Sequence, residues 1–316
     1  MEEQIRGRFA PSPSGRMHLG NLFAALLAWL SVRSAGGTLT LRMEDLDPDR
    51  CRRPYAALLA EDLRWLGLDW DEGYGAGGPD GPYLQSERTE CYAAAFRALE
   101  ARGLVYPCYC TRAERLAASA PHRSDGQAVY GGRCRSLTAA ERAALEEIRR
   151  PAWRLRVPEG EVSFTDGHCG PFSCDLARDS GDFIIRRSDG VYAYQLAVVA
   201  DDAAMGVNQV VRGRDLLDST PRQIYLYGLL GLDAPAFYHV PLLLSGDGRR
   251  LSKRDRDLDM GALRARHTPE EILGALAFLA GLLERPEPVA ARDLIPGFSW
   301  EKVPKEDIVL PLELLN

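Results

Sequence analysis

The stretch with the clearest chemistry is residues 8–21, RFAPSPSGRMHLGN. Its pattern predicts a short apolar strand, a turn of Pro, Ser and Gly, and a helix that opens on the tetrapeptide HLGN at 18–21. Backbone N–H groups and the dipole at a helix start favour anions. An imidazole such as His18 could donate a hydrogen bond to charge that develops on a phosphate. The stretch therefore indicates a nucleotide-phosphate site, although a single histidine near a helix start is more often structural.

A basic segment lies far downstream at residues 249–254, RRLSKR. Lys253 is a point charge on a flexible stem, which suits a triphosphate that reorganises during a reaction. We therefore expect Lys253 to contact phosphates. The arginines of the same segment are expected to be ordinary solvated surface charges.

The seven cysteines stand at positions 51, 91, 108, 110, 134, 169 and 174. Their odd number and irregular spacing favour reduced thiols over a disulfide framework. Cys108-Tyr-Cys110 offers two thiols from one tight turn, and Cys134 could supply a third zinc ligand. Structural zinc takes four tetrahedral ligands, and His122 is a chemically conventional fourth. The alternative is three buried free cysteines, and the other four cysteines are expected to serve packing.

The bulk composition is that of an ordinary globular protein, with 316 residues, 46% hydrophobic and 27% charged. A chain of this length is expected to form two or three domains. The net charge of −6 excludes a uniformly basic nucleic-acid binder, so any RNA would need a local basic patch. The apolar run at 22–30 is too short to span a bilayer and follows no basic leader. A cytoplasmic protein is therefore expected.

Apolar periodicity predicts alternating strands and helices in the first part of the chain. The expected strands are Ile5–Ala10 and Thr38–Met43, and the expected helices are Met17–Arg33 and Tyr55–Leu66. Leu58, Leu59, Leu63 and Leu66 would form the apolar face of the second helix. This order indicates an α/β fold with a parallel sheet covered by helices.

The rhythm breaks at residues 107–186, which we assign to an insertion, and it returns at 191–208, 210–217 and 240–244. The predicted parts are thus 1–106, 107–186, 187–245 and 246–316. A capping box at Thr268–Glu271 opens a last helix. Its predicted apolar face is Ile272, Leu273, Leu276, Leu279 and Leu283, and the prolines at 286 and 288 are expected to end it.

From Gly7 to about Met260 the chain resembles the class I aminoacyl-tRNA synthetases of the glutamyl branch. The resemblance rests on HLGN and RLSKR, and on the segments RFAPSPSG, LRMEDLD, YQLA and VVRGRDLL. Asn21 stands where the family has a second histidine. Only 56 residues follow Met260, so no anticodon-binding domain is expected. The chain is most similar to the glutamyl-Q tRNA(Asp) synthetase family, which are truncated paralogues of glutamyl-tRNA synthetases.

The resemblance implies a Rossmann-like catalytic domain with a zinc-containing insertion and a short helical C-terminal region. It assigns ATP binding to His18, Gly20, Asn21 and Lys253. It assigns glutamate binding to Arg8, Ser12, Glu44, Tyr194 and Arg212. It assigns one structural zinc to Cys108, Cys110, Tyr130 and Cys134, because Y-x-x-x-C occurs at this point in the family.

These residue types suit an acidic amino acid. A guanidinium recognises a carboxylate with planar, two-pronged geometry, which fits Arg8 and Arg212. Glu44 could pair with the ammonium group, and Tyr194 could donate a directional hydrogen bond. The alternative is a set of ordinary ion pairs at strand ends.

The implied reaction has two steps. ATP, with Mg²⁺, and glutamate form glutamyl-adenylate and pyrophosphate, with His18 and Lys253 as the catalytic residues that stabilise phosphate charge. A hydroxyl of the queuosine base of tRNA(Asp) then takes the glutamate. No membrane and no protein partner are expected. Two alternatives stay open: a fragmentary or discriminating glutamyl-tRNA synthetase that charges a tRNA 3′ end, and a non-catalytic zinc-containing RNA-binding paralogue.

Overall fold

The computed structural model describes residues 4–111, 114, 129–249, 251, 258–311 and 314–315. The strands of this part of the chain are β1 (Arg6–Phe9), β2 (Thr38–Leu41), β3 (Glu72–Gly73), β4 (Val105–Cys108), β5 (Ala152–Leu155), β6 (Glu161–Asp166), β7 (Gly170–Asp175), β8 (Phe183–Arg186), β9 (Gln209–Gly213), β10 (Ala236–Val240), β11 (Leu243–Leu244) and β12 (Ile308–Val309). The α-helices are α1 (Leu19–Ser34), α2 (Arg53–Trp65), α3 (Thr89–Ala101), α4 (Ala139–Glu146), α5 (Leu176–Asp179), α6 (Tyr194–Ala204), α7 (Thr220–Leu230), α8 (Met260–Arg266) and α9 (Pro269–Leu279). Short 3₁₀ helices cover Gln85–Glu87, Arg214–Ser219 and Ala291–Gly297.

The main sheet has five parallel strands in the order β10-β9-β1-β2-β3. The predicted α/β class with a parallel sheet is confirmed, and the first two predicted strands match β1 and β2. Strand β1 is central, with Arg8 opposite Thr40 on β2 and Val210 on β9. The chain runs from β1 to β2 on one side and returns to β9 on the other. This reversal opens a crevice at the carboxyl ends of β1 and β9.

Helix α1 packs tightly on the central strands because its sequence is apolar on nearly every side. Leu22, Leu26 and Trp29 are fully buried on it. Gly7 on β1 permits this contact, since a Cβ atom there would lie 2.3 Å from Val32 Cγ2 of α1. Within the described ranges, no helix is both long and apolar enough to span a membrane.

The segment without βαβ rhythm forms antiparallel structure. Strands β4, β5 and β8 make one three-stranded sheet, and β6 and β7 make a hairpin. The hairpin turn reaches the main sheet, because the backbone N–H of Gly167 donates to Phe237 O of β10 at 2.8 Å. The predicted boundaries of the insertion at 107 and 186 stay a prediction.

The last predicted helix begins as expected but ends earlier. The Thr268 side chain caps α9, and Glu271 completes the capping box. The helix ends at Leu279 and not near the prolines at 286 and 288, so Leu283 lies beyond it. The C-terminal region is also not purely helical, because β12 pairs in parallel with β11.

A glycine explains the early end of α9. Gly281 has a φ of +70°, a conformation that side chains other than glycine rarely adopt. A Cβ atom at this position would also lie 2.5 Å from Lys302 O. The chain therefore turns here into the segment that returns toward β12.

Gly281→Ala is expected to destabilise the fold by about 1–2 kcal/mol or more, the cost of a left-handed L-residue with an added backbone clash. Thermal unfolding should show a lower midpoint for this variant. Gly297→Ala is the matched control, because a Cβ atom there meets nothing within 4 Å. Equal midpoints for Gly281→Ala and the parent chain would refute this explanation of the helix end.

Candidate active site

A cavity of about 460 Å³ lies where β1 and β9 end. Its walls come from the loop between β1 and α1 and from the carboxyl ends of β9 and β10. Among the lining residues are all the described residues predicted to bind ATP or glutamate, namely Arg8, Ser12, His18, Gly20, Asn21, Glu44, Tyr194 and Arg212. Lys253 lies outside the described residues, whereas its neighbour Leu251 lines the cavity. The cavity thus gathers the predicted residues in one place, while their roles stay a prediction.

His18 is the N-cap of α1 and lines the cavity. The Asn21 N–H donates to His18 O at 2.8 Å, and Asn21 Oδ1 accepts from the His18 N–H at 3.2 Å. Asn21 therefore stabilises the helix start with its own side chain. Gly20 keeps room for the imidazole, since a Cβ atom would approach His18 Cε1 to 3.1 Å.

Arg8 projects from β1 into a buried network of charges. Its Nη1 donates to Val211 O at 3.3 Å, and its Nε lies 3.5 Å from Asp202 Oδ1. The same Asp202 oxygen lies 2.7 Å from Arg42 Nη1. Arg42 Nη2 in turn lies 3.3 Å from Glu44 Oε1. One fully buried arginine, Arg42, thus links two residues predicted to bind the amino acid.

Burial and charge pull against each other in this network. Burial would lower the pKa of Arg42, but the carboxylates of Asp202, Asp201 and Glu44 outweigh it and raise that pKa. Burial raises the pKa of Glu44, and the cations of Arg42 and Arg8 oppose the rise. The Glu44 carboxylate therefore depends on nearby cations for its charge.

Arg212 on β9 is held on two sides of its guanidinium. Its Nε donates to His239 Nε2 at 3.0 Å, and its Nη2 donates to Thr220 Oγ1 at 2.7 Å. Its Nη1 is buried and has no hydrogen-bond partner among the described residues. Burial lowers the pKa of Arg212, although a guanidinium stays charged near neutral pH. Such a cation, with donors to spare in a cavity, is suited to a carboxylate.

Tyr194 stands at the first residue of α6 and also lines the cavity. Burial raises the pKa of its phenol, and the Glu44 carboxylate adds to the rise. Its hydroxyl therefore stays protonated and can donate a hydrogen bond. Ser12 differs from the other predicted residues because it is exposed.

The sequence interpretation missed the residues that support the arginines. Asp201 and Asp202 are buried on α6, although they interrupt the apolar run AVVADDAA. Two adjacent acids inside an apolar helix were a signal, since buried acids are almost always paired. His239 within the strand AFYHV was a comparable signal.

A cysteine cluster forms apart from the cavity. The Sγ atoms of Cys108, Cys110 and Cys134 all lie within 4.8 Å of one another. The hydroxyl of Tyr130 lies 3.5 Å from Cys108 Sγ and 3.9 Å from Cys110 Sγ. Four such groups around one point match the ligand number of structural zinc. His122 lies outside the described residues.

The pKa values of two thiols in this cluster, Cys108 and Cys110, shift in opposite directions. Burial would raise the pKa of Cys108, but the hydrogen bonds with Tyr130 and the Cys110 backbone, together with the Arg154 cation, outweigh it and lower that pKa. Burial and the adjacent Cys108 raise the pKa of Cys110 to about 12. Without a cation Cys110 therefore stays protonated near neutral pH, and a bound metal ion would supply the charge that favours its thiolate.

Comparison with known proteins identifies relatives along nearly the whole chain. A family model described as "tRNA synthetases class I (E and Q), catalytic domain" matches residues 4–305. A protein of Nitratidesulfovibrio vulgaris named "Glutamyl-Q tRNA(Asp) synthetase" is 54% identical, covering 99% of this chain and 97% of the relative. A protein of the same name from Symbiobacterium thermophilum is 53% identical, covering 98% and 97%.

Other relatives extend beyond the matched region. "Glutamate--tRNA ligase 2" of Acidithiobacillus ferrooxidans is 50% identical over 79% of this chain and 52% of its own length. The crystal structure of a glutamate-tRNA synthetase from Elizabethkingia anophelis superposes with a TM-score of 0.86 at 30% identity. That match covers 99% of this chain and 69% of the Elizabethkingia chain. The chain therefore belongs to the class I tRNA synthetases of the E and Q type and is a ligase of that type.

Proposed function

We propose that the chain activates glutamate with ATP and transfers it to the queuosine base in the anticodon loop of tRNA(Asp). One observation carries the first half of the proposal: two buried arginines and the half-buried Glu44 share a cavity with the start of α1. The names of the Nitratidesulfovibrio and Symbiobacterium relatives support the acceptor.

The amino acid is proposed to bind at the inner end of the cavity. Arg212 offers Nη1 to a carboxylate, and Arg8 adds a second buried cation nearby. Glu44 carries the negative charge that an ammonium group needs, and Tyr194 donates a hydrogen bond. Ser12 contributes from the exposed rim. A substrate with two carboxylates and one ammonium group matches this arrangement of charges.

The nucleotide is proposed to bind along the start of α1. His18, Gly20 and Asn21 would receive the phosphates, and Lys253 would stabilise the charge of the departing pyrophosphate. The residues that flank Lys253 support this placement. Leu251 lines the cavity, and Asp259 pairs with His18 in an antiparallel β-bridge.

The protein does little covalent work in this proposal. A carboxylate oxygen of glutamate attacks the α-phosphorus of ATP, supplied with Mg²⁺, and the bond to the pyrophosphate oxygen breaks. The residues align the two substrates and stabilise charge. A hydroxyl of the queuosine cyclopentene diol then attacks the mixed anhydride, and AMP leaves.

The cysteine cluster is proposed to bind one structural zinc through Cys108, Cys110, Cys134 and Tyr130. Four protein ligands close the coordination sphere, and such sites stabilise folding. The cluster lies outside the cavity lining. Zinc is therefore assigned to holding the antiparallel segment together and not to glutamate activation.

Glutamate-dependent exchange of pyrophosphate into ATP is expected without RNA, because both substrate groups converge on one cavity. Lys253→Ala should lower the exchange rate by about 10²–10⁴-fold, the scale for loss of one preorganised charge contact. Lys302→Ala is the matched control, since that exposed amine donates only to Gly297 O among the described residues. Exchange that needs tRNA would contradict this prediction.

Purified, reduced protein is expected to contain one zinc per chain by elemental analysis. Cys134→Ser should lose the metal and unfold at lower temperature, because a structural zinc cross-links the segment around it. Cys51→Ser is the control, since Cys51 lies outside the cluster. Comparing Tyr130→Phe with His122→Ala identifies the fourth ligand. Protein prepared without chelator and found free of metal would overturn the assignment.

Labelled glutamate is expected to reach tRNA(Asp) that contains queuosine and not the same tRNA with unmodified guanosine. The exposed bases of an anticodon loop can enter a pocket, which suits chemistry on a modified base. Removing the 3′ terminal adenosine from the modified tRNA should leave the transfer unchanged. Transfer that ignores the modification and stops when this adenosine is removed would instead identify a 3′-end charging enzyme.

A further inference from the structure

A buried aspartate on the β6–β7 hairpin, Asp166, is linked through His239 to Arg212 of the cavity lining. Asp166 Oδ1 accepts backbone N–H groups of His168 at 2.9 Å, Cys169 at 2.8 Å and His239 at 3.2 Å. Its second oxygen, Oδ2, lies 2.6 Å from His239 Nδ1. The two oxygens thus have different tasks. One holds the hairpin turn against β10, and the other contacts the imidazole.

The contacts of His239 define where its proton lies. Arg212 Nε is always a donor, and it donates to His239 Nε2 at 3.0 Å. Nε2 must therefore be the unprotonated acceptor, and Nδ1 carries the proton that is donated to Asp166 Oδ2. A neutral imidazole in this one tautomer satisfies both contacts.

The titration of the pair agrees with this geometry. Burial would raise the pKa of Asp166, but the hydrogen bonds from His239 and the backbone outweigh it and lower that pKa. Burial lowers the pKa of His239, and the cations of Arg212 and Arg8 add to the lowering, while Asp166 opposes it. The aspartate is thus ionised and the histidine neutral near pH 7.

The contacts of Arg212 leave one of its three guanidinium nitrogens without a hydrogen-bond partner in the described structure. Its Nε is bound by His239 and its Nη2 by Thr220, while the guanidinium lies over the Phe237 ring at 5.1 Å. Only Nη1 is left without a hydrogen-bond partner in the described structure. Thr220 Oγ1 also lies 3.1 Å from His239 Nε2, so Arg212, Thr220 and His239 all contact one another.

We propose that Asp166 and His239 are positioning residues, which orient Arg212 so that Nη1 is presented to a carboxylate of the amino-acid substrate. Asp166 acts by holding the proton of His239 on Nδ1, and His239 acts by accepting from Arg212 Nε. This inference rests on the proposed role of Arg212 in substrate binding.

Asp166→Asn tests whether Asp166 keeps the His239 proton on Nδ1. The carbonyl oxygen of the new amide keeps the three backbone hydrogen bonds, so its NH₂ group faces His239 Nδ1. The imidazole must then accept at Nδ1 and carry its proton on Nε2, where it opposes the N–H of Arg212. In pyrophosphate exchange the KM for glutamate should rise by about 10–100-fold, the scale for losing a hydrogen bond to a charged group. The KM for ATP should stay within about twofold, because no ATP residue is touched.

A second substitution separates positioning from general structure. In His239→Gln the side-chain amide can place its oxygen near the former Nε2 and still accept from Arg212. This variant is expected to keep a lower KM for glutamate than His239→Asn, whose shorter amide reaches only the Nδ1 position. In the His239→Gln background, Asp166→Asn should add little to the KM, since no imidazole tautomer remains to be changed.

Asp182→Asn is the matched control for loss of a buried carboxylate. The Asp182 carboxylate accepts hydrogen bonds from Tyr106 Oη at 2.6 Å and from the Val157 N–H at 2.8 Å. None of these residues lines the cavity. Asp182→Asn should alter the unfolding temperature but not the KM for glutamate. The inference is overturned if Asp166→Asn leaves that KM unchanged, or raises it equally with and without His239. Arg212→Lys tests the proposed function separately from the positioning role of Asp166 and His239. An unchanged KM for glutamate in Arg212→Lys would refute the proposed role of Arg212, and the inference with it.

Discussion

The structure depends on keeping two arginine cations buried beside one cavity. Arg8 is 4% exposed and Arg212 is 5% exposed, and both line the same space. Removing such charges from water costs several kcal/mol each unless partners compensate. Asp202 supplies the nearest anion to Arg8, while Arg212 is held by the neutral groups of His239 and Thr220. The remaining positive potential is what an anionic substrate can satisfy.

This requirement explains why distant parts of the chain converge here. Arg42 follows β2, Asp202 belongs to α6, and the two meet at 2.7 Å behind β1. Asp166 arrives from an antiparallel hairpin that does not belong to the main sheet. The sheet therefore places Arg8, Arg212 and His239, and Asp202, Thr220 and Asp166 from outside it supply further contacts that orient the two arginines. Several of the buried charges at this site are thus held by partners from more than one element.

The cysteine cluster lies in a different part of the structure from the cavity. Its three thiols lie in the antiparallel segment, and none lines the cavity. Small antiparallel segments bury little apolar surface, so the proposed zinc would add stability to this one. Arg154 contacts both parts of this cluster, since it donates to Cys108 Sγ at 3.3 Å and lies over the Tyr130 ring at 3.7 Å. The cluster and the cavity lining share no residue.

Local pattern was sufficient for much of this protein. Strands β1 and β2, helices α1 and α2, and the capping box at Thr268 follow from periodicity and capping chemistry, which act within a few residues. The motif segments also predicted Arg8, Glu44 and Arg212 as members of one amino-acid site, and all three line one cavity. The spacing of Cys108, Cys110 and Cys134 predicted that these residues lie together, and the cluster confirms it, whereas metal binding stays a prediction.

Tertiary structure decided what short-range pattern cannot encode. The residue that follows the end of α9 is restricted by Lys302 O, which approaches Gly281 from 21 residues further along the chain and leaves no room for a side chain. The support of Arg212 by Asp166 and His239 joins residues 73 positions apart. Burial of Asp201 and Asp202 likewise depends on arginines from other elements. Sequence determined which residue types were available, and long-range packing determined which charges were paired and which cation, Arg212, kept a buried nitrogen without a hydrogen-bond partner among the described residues.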